Sequence, residues 1–344
     1  MLQLCYKQMV FEVERVRETA LNWSRSTVNT CTLPRIALLG CLAAAPFAAQ
    51  LANAQNLTLE GQTGGFITPT AYVVYTAKDK FFSHPAVGYH FVDASNVIGN
   101  IHTFSITEGF ANRAEVGYTR SEHTEGNSAL FSSLWHFAGM NIFNGKVVAI
   151  KDGQFGPWTP GIGAGFVVRT GDKFVSGALN QEFTGTLKSY TNQDLYVAGT
   201  KTWLHPPVPF LINLGWKATN ASIYGIGGQA TRFGGRLFGG LGIPLPAPFH
   251  TAIVPAIGFT QEPPQVKNLG AILVGGSAHI PTTMDYAIRV TQKENPHFAF
   301  DIGIGHVAGE IGQTPVLVGG VPVAIIPVNL EANHVFGMGL SLRY

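Results

Sequence analysis

From residue 84 onward the chain alternates apolar and polar positions in short runs. Across 284–293, Met284, Tyr286, Ile288 and Val290 take every second place, with Asp285, Arg289, Thr291 and Lys293 between them. Successive side chains of a strand point to opposite faces, so this spacing predicts a strand with one apolar and one charged face. The same period sets Phe298, Phe300, Ile302 and Ile304 against Ala299, Asp301, Gly303 and Gly305. It sets Phe210, Ile212, Leu214 and Trp216 against Asn213, Gly215, Lys217 and Thr219, and Ile162, Ala164, Phe166 and Val168 against Gly163, Gly165 and Arg169. Shorter alternations cover 87–91, 103–107 and 115–119, and further strands are predicted near 129–138, 194–204, 232–243, 250–260 and 269–280. In the last stretch Phe336, Met338, Leu340, Leu342 and Tyr344 share one face, and Gly337, Gly339, Ser341 and Arg343 the other. Tight turns are predicted at 108–112 and 280–283, and long connections at 121–127, 171–192 and 309–333.

Composition decides what such strands build. The sequence is 46% hydrophobic and 12% charged, with 41 glycines, yet after residue 55 no uninterrupted stretch reads as a spanning helix. The nearest, 316–330, holds Gly319, Gly320, Pro322 and Pro327, which a helix interior does not accommodate. An apolar chain without spanning helices can hide its backbone from lipid only by closing its strands into a cylinder. The expected fold is therefore all-β, a transmembrane antiparallel β-barrel over 84–344; evenness of strand number selects about 12 strands within a range of roughly 10 to 14.

The first 54 residues do not share this pattern. Arg35, an apolar core from Ile36 to Phe47 and the small residues Ala52 and Ala54 around Asn53 have the order of a secretory signal peptide. Residues 35–54 are read as that leader, with the mature chain starting at Gln55, and 1–34 as an extension, either an unusually long n-region or the product of a mis-set start. The core is too short, and interrupted by Pro46, to be a membrane anchor. Cys41 after Leu38, Leu39 and Gly40 makes only a poor lipidation signal. All three cysteines, Cys5, Cys31 and Cys41, precede Gln55, which excludes a disulfide framework or a cysteine-ligated metal in the mature chain. The leader region carries five basic and three acidic residues, so 17 of each remain of the total 22 and 20. A neutral chain without a basic run offers nothing to nucleic acid.

Three resemblances follow from particular residues. A final strand ending on an aromatic, here Tyr344, resembles the closing strand of bacterial outer-membrane barrels. That implies insertion by the barrel-assembly machinery and residence in the outer membrane of a Gram-negative bacterium. The segment Glu60-Gly61, Gly64-Gly65 and Thr68-Pro69 resembles the opening of a family of uncharacterised Gram-negative outer-membrane proteins. The likeness continues at Tyr196 to Lys201, Lys217 to Asn220 and Gly225 to Gly228. Gly65 to Ala71 is also similar to barrels associated with exopolysaccharide genes. None of these brings catalytic or ligand residues. Residues 55–83 are read as a periplasmic lead-in or a plug at the barrel mouth, with room for a first strand.

Little reactive chemistry stands out. The eleven histidines are scattered with no H-x-x-x-H or H-E-x-x-H spacing, and no Gly-x-Ser-x-Gly occurs. No catalytic, cofactor or metal residue is assigned. The candidate lumen-lining residues are Glu115, Arg169, Lys217, Asp285, Arg289, Lys293 and Asp301, which either pair and fill the interior or border an aqueous path. The expected function is a non-enzymatic barrel, a narrow passive channel for a small solute or a surface-assembly component. A lipid-modifying enzyme and an exopolysaccharide-export accessory barrel are the alternatives. Leu340 is expected to face lipid and Ser341 an interior that tolerates an added charge.

Overall fold

The computed structural model describes residues 56–94, 99–124, 139–171, 191–203, 208–221, 225, 229–263, 279–292, 298–318, 321–329 and 332–343. Residues 1–55 with the expected leader, most of the connections expected at 121–127 and 171–192, the expected strand at 129–138, most of that at 269–280, Lys293 and Tyr344 lie outside them.

The described strands are β1 (Ala86–Asp93), β2 (Asn100–Phe110), β3 (Ala114–Thr124), β4 (Met140–Ile150), β5 (Gly161–Gly171), β6 (Asn192–Trp203) and β7 (Phe210–Ala221). They continue with β8 (Gln229–Gly242), β9 (Leu245–Ala247), β10 (Thr251–Gln261), β11 (His279–Gln292), β12 (Phe298–Val318), β13 (Val321–Asn329) and β14 (Ala332–Arg343). All pairings are antiparallel, β8 pairs with β10, and β14 pairs with both β12 and β1, so the sheet closes. Eight residue pairs make that closure, from Ala86 opposite Arg343 to Asp93 opposite Phe336. Two strands stand outside the cylinder wall proper: the three-residue β9, and β13, which pairs with the far half of β12 from Glu310 to Val318. Among the described residues the wall is a closed antiparallel barrel of twelve strands.

The alternation sorts the wall into two faces. Phe104, Ile106, Val116, Phe143, Phe166, Leu195, Leu214, Trp216, Leu237, Ile288 and Ile304 stand exposed on the outside, while Thr107, Glu115, Thr119, Arg169, Lys217 and Asp301 are buried inside. An outer surface of large apolar side chains around a polar interior is stable only where lipid covers it, so the wall spans a membrane. No helix among the described residues is long and apolar enough to cross one. Exposed aromatics gather near the short-turn end. Trp158 lies 6.4 Å from Trp203, Trp203 stacks on Phe210 at 4.9 Å, and Phe82 packs edge-on to Phe110. They sit where a barrel carries an interfacial girdle.

Two short turns have the backbone that hairpins prefer. Ala111 and Asn112, with φ of 49° and 52°, close the β2–β3 turn, and Phe249 and His250, with φ of 57° and 55°, close the one before β10. Each connection is three residues long, and the positive-φ pair forms the centre of its hydrogen-bonded turn, Arg113 N–H to the Phe110 carbonyl and Thr251 N–H to the Pro248 carbonyl, with a twist that matches that of the flanking strands.

Three readings of the connections are corrected. The stretch 280–283 is not a turn but lies within β11, where pairing with β12 shifts between His279 and Thr282. Pro281 has no amide to give the ladder, and a bulge absorbs it. The stretch 309–333 is not an open loop; β12 runs through it to Val318 and returns as β13. Its prolines belong to an extension of the wall, and Pro is tolerated at bulges and sheet edges. Finally, β4 at Met140–Ile150 carries a full wall strand where none was expected. Its inward positions include Met140, Ile142 and Val148, so apolar residues occupy both faces and the period of two disappears.

Candidate functional site: the occupied lumen

Residues 56–76 run inside the barrel. They enter beside β12 and β14, where the Asn56 amide group donates to Asp301 and the Leu57 backbone N–H to Ser341 Oγ at 3.3 Å. A tight reversal follows. The Thr58 N–H donates to the Gln62 carbonyl at 2.7 Å, and Thr58 Oγ1 accepts from the amides of Glu60 and Gln62. A threonine hydroxyl that collects nearby amides favours such a turn over strand or helix. Gly61 sits at its apex with φ +83°, and a Cβ there would lie 2.3 Å from Thr119 Oγ1 of β3. Only glycine fits both the backbone and the close wall.

A second turn, from Gly65 to Thr68, is closed by the Gly65 N–H on the Thr68 carbonyl at 2.8 Å and carries Phe66 and Ile67. The chain then descends past β6, where Ala71 N–H donates to Thr200 Oγ1 at 2.7 Å. The Tyr72 hydroxyl donates to Asp152 Oδ2 at 2.8 Å in the β4–β5 turn, and Lys201 Nζ holds the other oxygen of Asp152 at 2.6 Å. Burial, and then the negative charge of Asp152, push the Tyr72 phenol well above its ordinary pKa, so it remains a donor. The segment leaves through the β2–β3 turn, where the Thr76 N–H donates to Asn112 Oδ1 at 2.6 Å. Gly109 of β2 lets Val74 pass, for a Cβ there would meet the Val74 carbonyl at 2.1 Å.

Wall charges hold this path. Arg169 of β5 forms two bonds to Glu60, at 2.5 and 2.8 Å, and a third to Asp194 of β6 at 2.6 Å, all buried. Glu115 of β3 accepts the Thr63 amide at 3.0 Å and its hydroxyl at 2.5 Å on separate oxygens, and the Val74 amide at 2.9 Å. Lys146 of β4 neutralises it at 3.0 Å and donates to the Thr63 carbonyl at 2.9 Å. Arg289 of β11 binds both oxygens of Asp301, at 2.8 and 3.1 Å, and the Gly64 carbonyl at 3.1 Å. Asn144, Asn213 and Thr107 bind the carbonyls of Glu60, Pro69 and Gly61.

Of the residues assigned from sequence to the lumen, Glu115, Arg169, Arg289 and Asp301 converge on the segment. Lys217 faces Glu262 instead, at 3.8 Å. Asp285 is buried, and its Oδ1 has no hydrogen-bond partner. In the closing strand, Met338, Leu340 and Leu342 are half-buried and Phe336 is exposed, while Gly337, Gly339 and Ser341 are buried. Among the site's charged and amide side chains that sequence did not assign, four bear on the Arg169 and Glu115 clusters. Lys146 lies in the unrecognised β4. Asp194 and Asn192 share the inner face of β6, a pattern visible at every second position. Glu60, an acid among glycines and threonines, was the available signal for a partner of Arg169.

Fold and interior define a class: a transmembrane β-barrel of the bacterial outer-membrane type, its lumen filled by its own N-terminal segment. No protein-family description and no curated protein sequence matches the chain. Among solved structures, it is similar to the KdgM porin at 10% identity and a TM-score of 0.40, covering 75% of this chain and 99% of that one. It is similar to the NanC porin at 9% identity and a TM-score of 0.39, covering 76% and 100%, and to the β domain of the Bordetella autotransporter BrkA at 12% and 0.34, covering 76% and 99%.

Proposed function

We propose that the protein is a non-enzymatic outer-membrane barrel, inserted into lipid by the barrel-assembly machinery, that acts as a narrow channel for a small solute and is closed in this state by residues 56–76. One observation carries the reading: Glu115, Arg169, Arg289 and Asp301, which would otherwise border an aqueous path, all bind the lumenal segment. The segment adds Glu60 as a second acid for Arg169 and supplies amides and a carbonyl to Glu115, Asp301 and Arg289, whose charges are already paired within the wall, so it completes their hydrogen bonding while the path is shut. The same polar face becomes a hydrated lining once the segment withdraws.

The test is a planar bilayer. The full mature chain is expected to be nearly silent, and a variant lacking residues 57–71 to give steady steps, with both running heat-modifiably on gels as folded barrels. Folded deletion variants that conduct no better than the parent would end the channel reading. Altered lipid A or phospholipid on overexpression would instead favour the lipid-modifying alternative.

A further inference from the structure

Two cavities lie between the lumenal segment and the wall, and they meet at one acid. The first, of about 110 Å³, runs from Tyr72, Thr202 and Val254 near the short-turn end past Gly240 to Asp285. The second, of about 80 Å³, is walled by Leu59, Ile67, Val92, Ile101 and Val307. Phe66, Asp285 and Ala287 border both.

Asp285 is 7% exposed, and its Oδ1 has no hydrogen-bond partner. The cation on the same face of the strand does not supply one. Arg289, four residues along the same face, directs Nε and Nη2 to Asp301, and Nη2 also to the Gly64 carbonyl. Across the ladder, Gly258 of β10 pairs with Asp285, and a Cβ on it would lie 2.2 Å from Asp285 Oδ1. The wall therefore leaves room for the carboxylate while giving its Oδ1 no donor. Two acids share one guanidinium in this corner, and a buried carboxylate oxygen without a donor is costly. What completes it is a positively charged hydrogen-bond donor. The second cavity states the rest of the ligand, because its lining is aliphatic and aromatic, and a dry cavity of this kind takes an apolar body; one of about 150 Å³ takes a benzene.

We propose that this junction binds a small protonated amine with an apolar body of a few carbons, the ammonium on Asp285 and the body against Leu59, Ile67 and Ile101. The proposal names a solute class for the channel and rests on that reading only for the solute's use. Binding is read without current, so the two can fail separately.

The probes are n-butylammonium, n-butanol and butyrate, titrated calorimetrically into the folded, heat-modifiable protein. Butylammonium is expected to bind saturably at millimolar concentration or below, more tightly than butanol, with butyrate silent. Asp285→Asn and Ile101→Trp, which fills the second cavity, should each weaken it at least tenfold. Gly258→Ala, whose new Cβ displaces the carboxylate, should do the same and serves if Asp285→Asn does not fold. No saturable heat with butylammonium, equal affinity in the folded variants, or butyrate binding as tightly would overturn the site.

Discussion

At the residue scale, Glu115 shows how one side chain fixes both wall and contents. Its two oxygens take two amides and a hydroxyl from the lumenal segment, and Lys146 stands behind it. Truncation strands a buried ammonium, and breaking such a pair costs about 3–5 kcal/mol. Glu115→Ala should therefore lower the urea midpoint of the refolded barrel by that order, and Glu115→Gln, which keeps an acceptor, by less. Equal midpoints for Ala and the parent would show that Lys146 finds another partner. Glu262, just past the end of β10, offers a pH readout. Burial raises its pKa from 4.5 to about 7 against the opposing pull of Lys217. A folded-state pKa above the unfolded one means the native barrel holds the proton longer, so this group's contribution to stability falls as pH rises from about 4.5 to about 7. Glu262→Gln should flatten that part of the stability profile, which chemical denaturation at a series of pH values measures.

At the element scale, β14 has the two faces its spacing predicts, but they meet different surroundings from those expected. Leu340 belongs to the apolar row beside Phe336, Met338 and Leu342, where arginine near mid-membrane costs about 2–4 kcal/mol. Ser341 was expected to face an interior that tolerates an added charge. It is instead 3% exposed and receives the Leu57 amide. Both Leu340→Arg and Ser341→Arg should reduce the heat-modifiable fraction, and only Ser341→Arg should also free the start of the lumenal segment to proteolysis. A protease-resistant Ser341→Arg would refute that contact. The same comparison shows what the chain discloses. Strands with charged or glycine-rich inner faces, such as β5, β11 and β12, announce themselves through period two. β4 does not, because Met140, Ile142 and Val148 face a packed interior and need not be polar. The proline-rich hairpin of β12 and β13 hides for another reason: proline reads as a breaker wherever sheet edges and bulges are not foreseen. Charges aimed inward were legible in Glu115, Arg169 and Asp301, but what they bind was not. The partners are largely backbone groups of residues 56–76, which no side-chain pattern encodes.

At the scale of the whole molecule, the barrel and its contents are joined through many weak points spread over nine strands, from Thr107 on β2 to Ser341 on β14. No single contact anchors the segment. Its turns are closed by its own backbone bonds, such as Thr58 to Gln62 and Thr70 to Thr63, the latter at 3.1 Å, so it has internal structure to lose as one unit. Wall amides, by contrast, sit in a closed ladder facing lipid and open only with the barrel. Native-state hydrogen exchange should therefore show the amides of Leu57, Thr63, Ala71 and Val74 opening together, at a free energy below that of β5 or β11. Glu115→Gln, which touches only two of these amides directly, should lower the opening free energy of all four by the same amount if the segment is cooperative. If Thr63 and Val74 alone respond, the segment comes off strand by strand, and a single withdrawal event cannot be what opens the lumen.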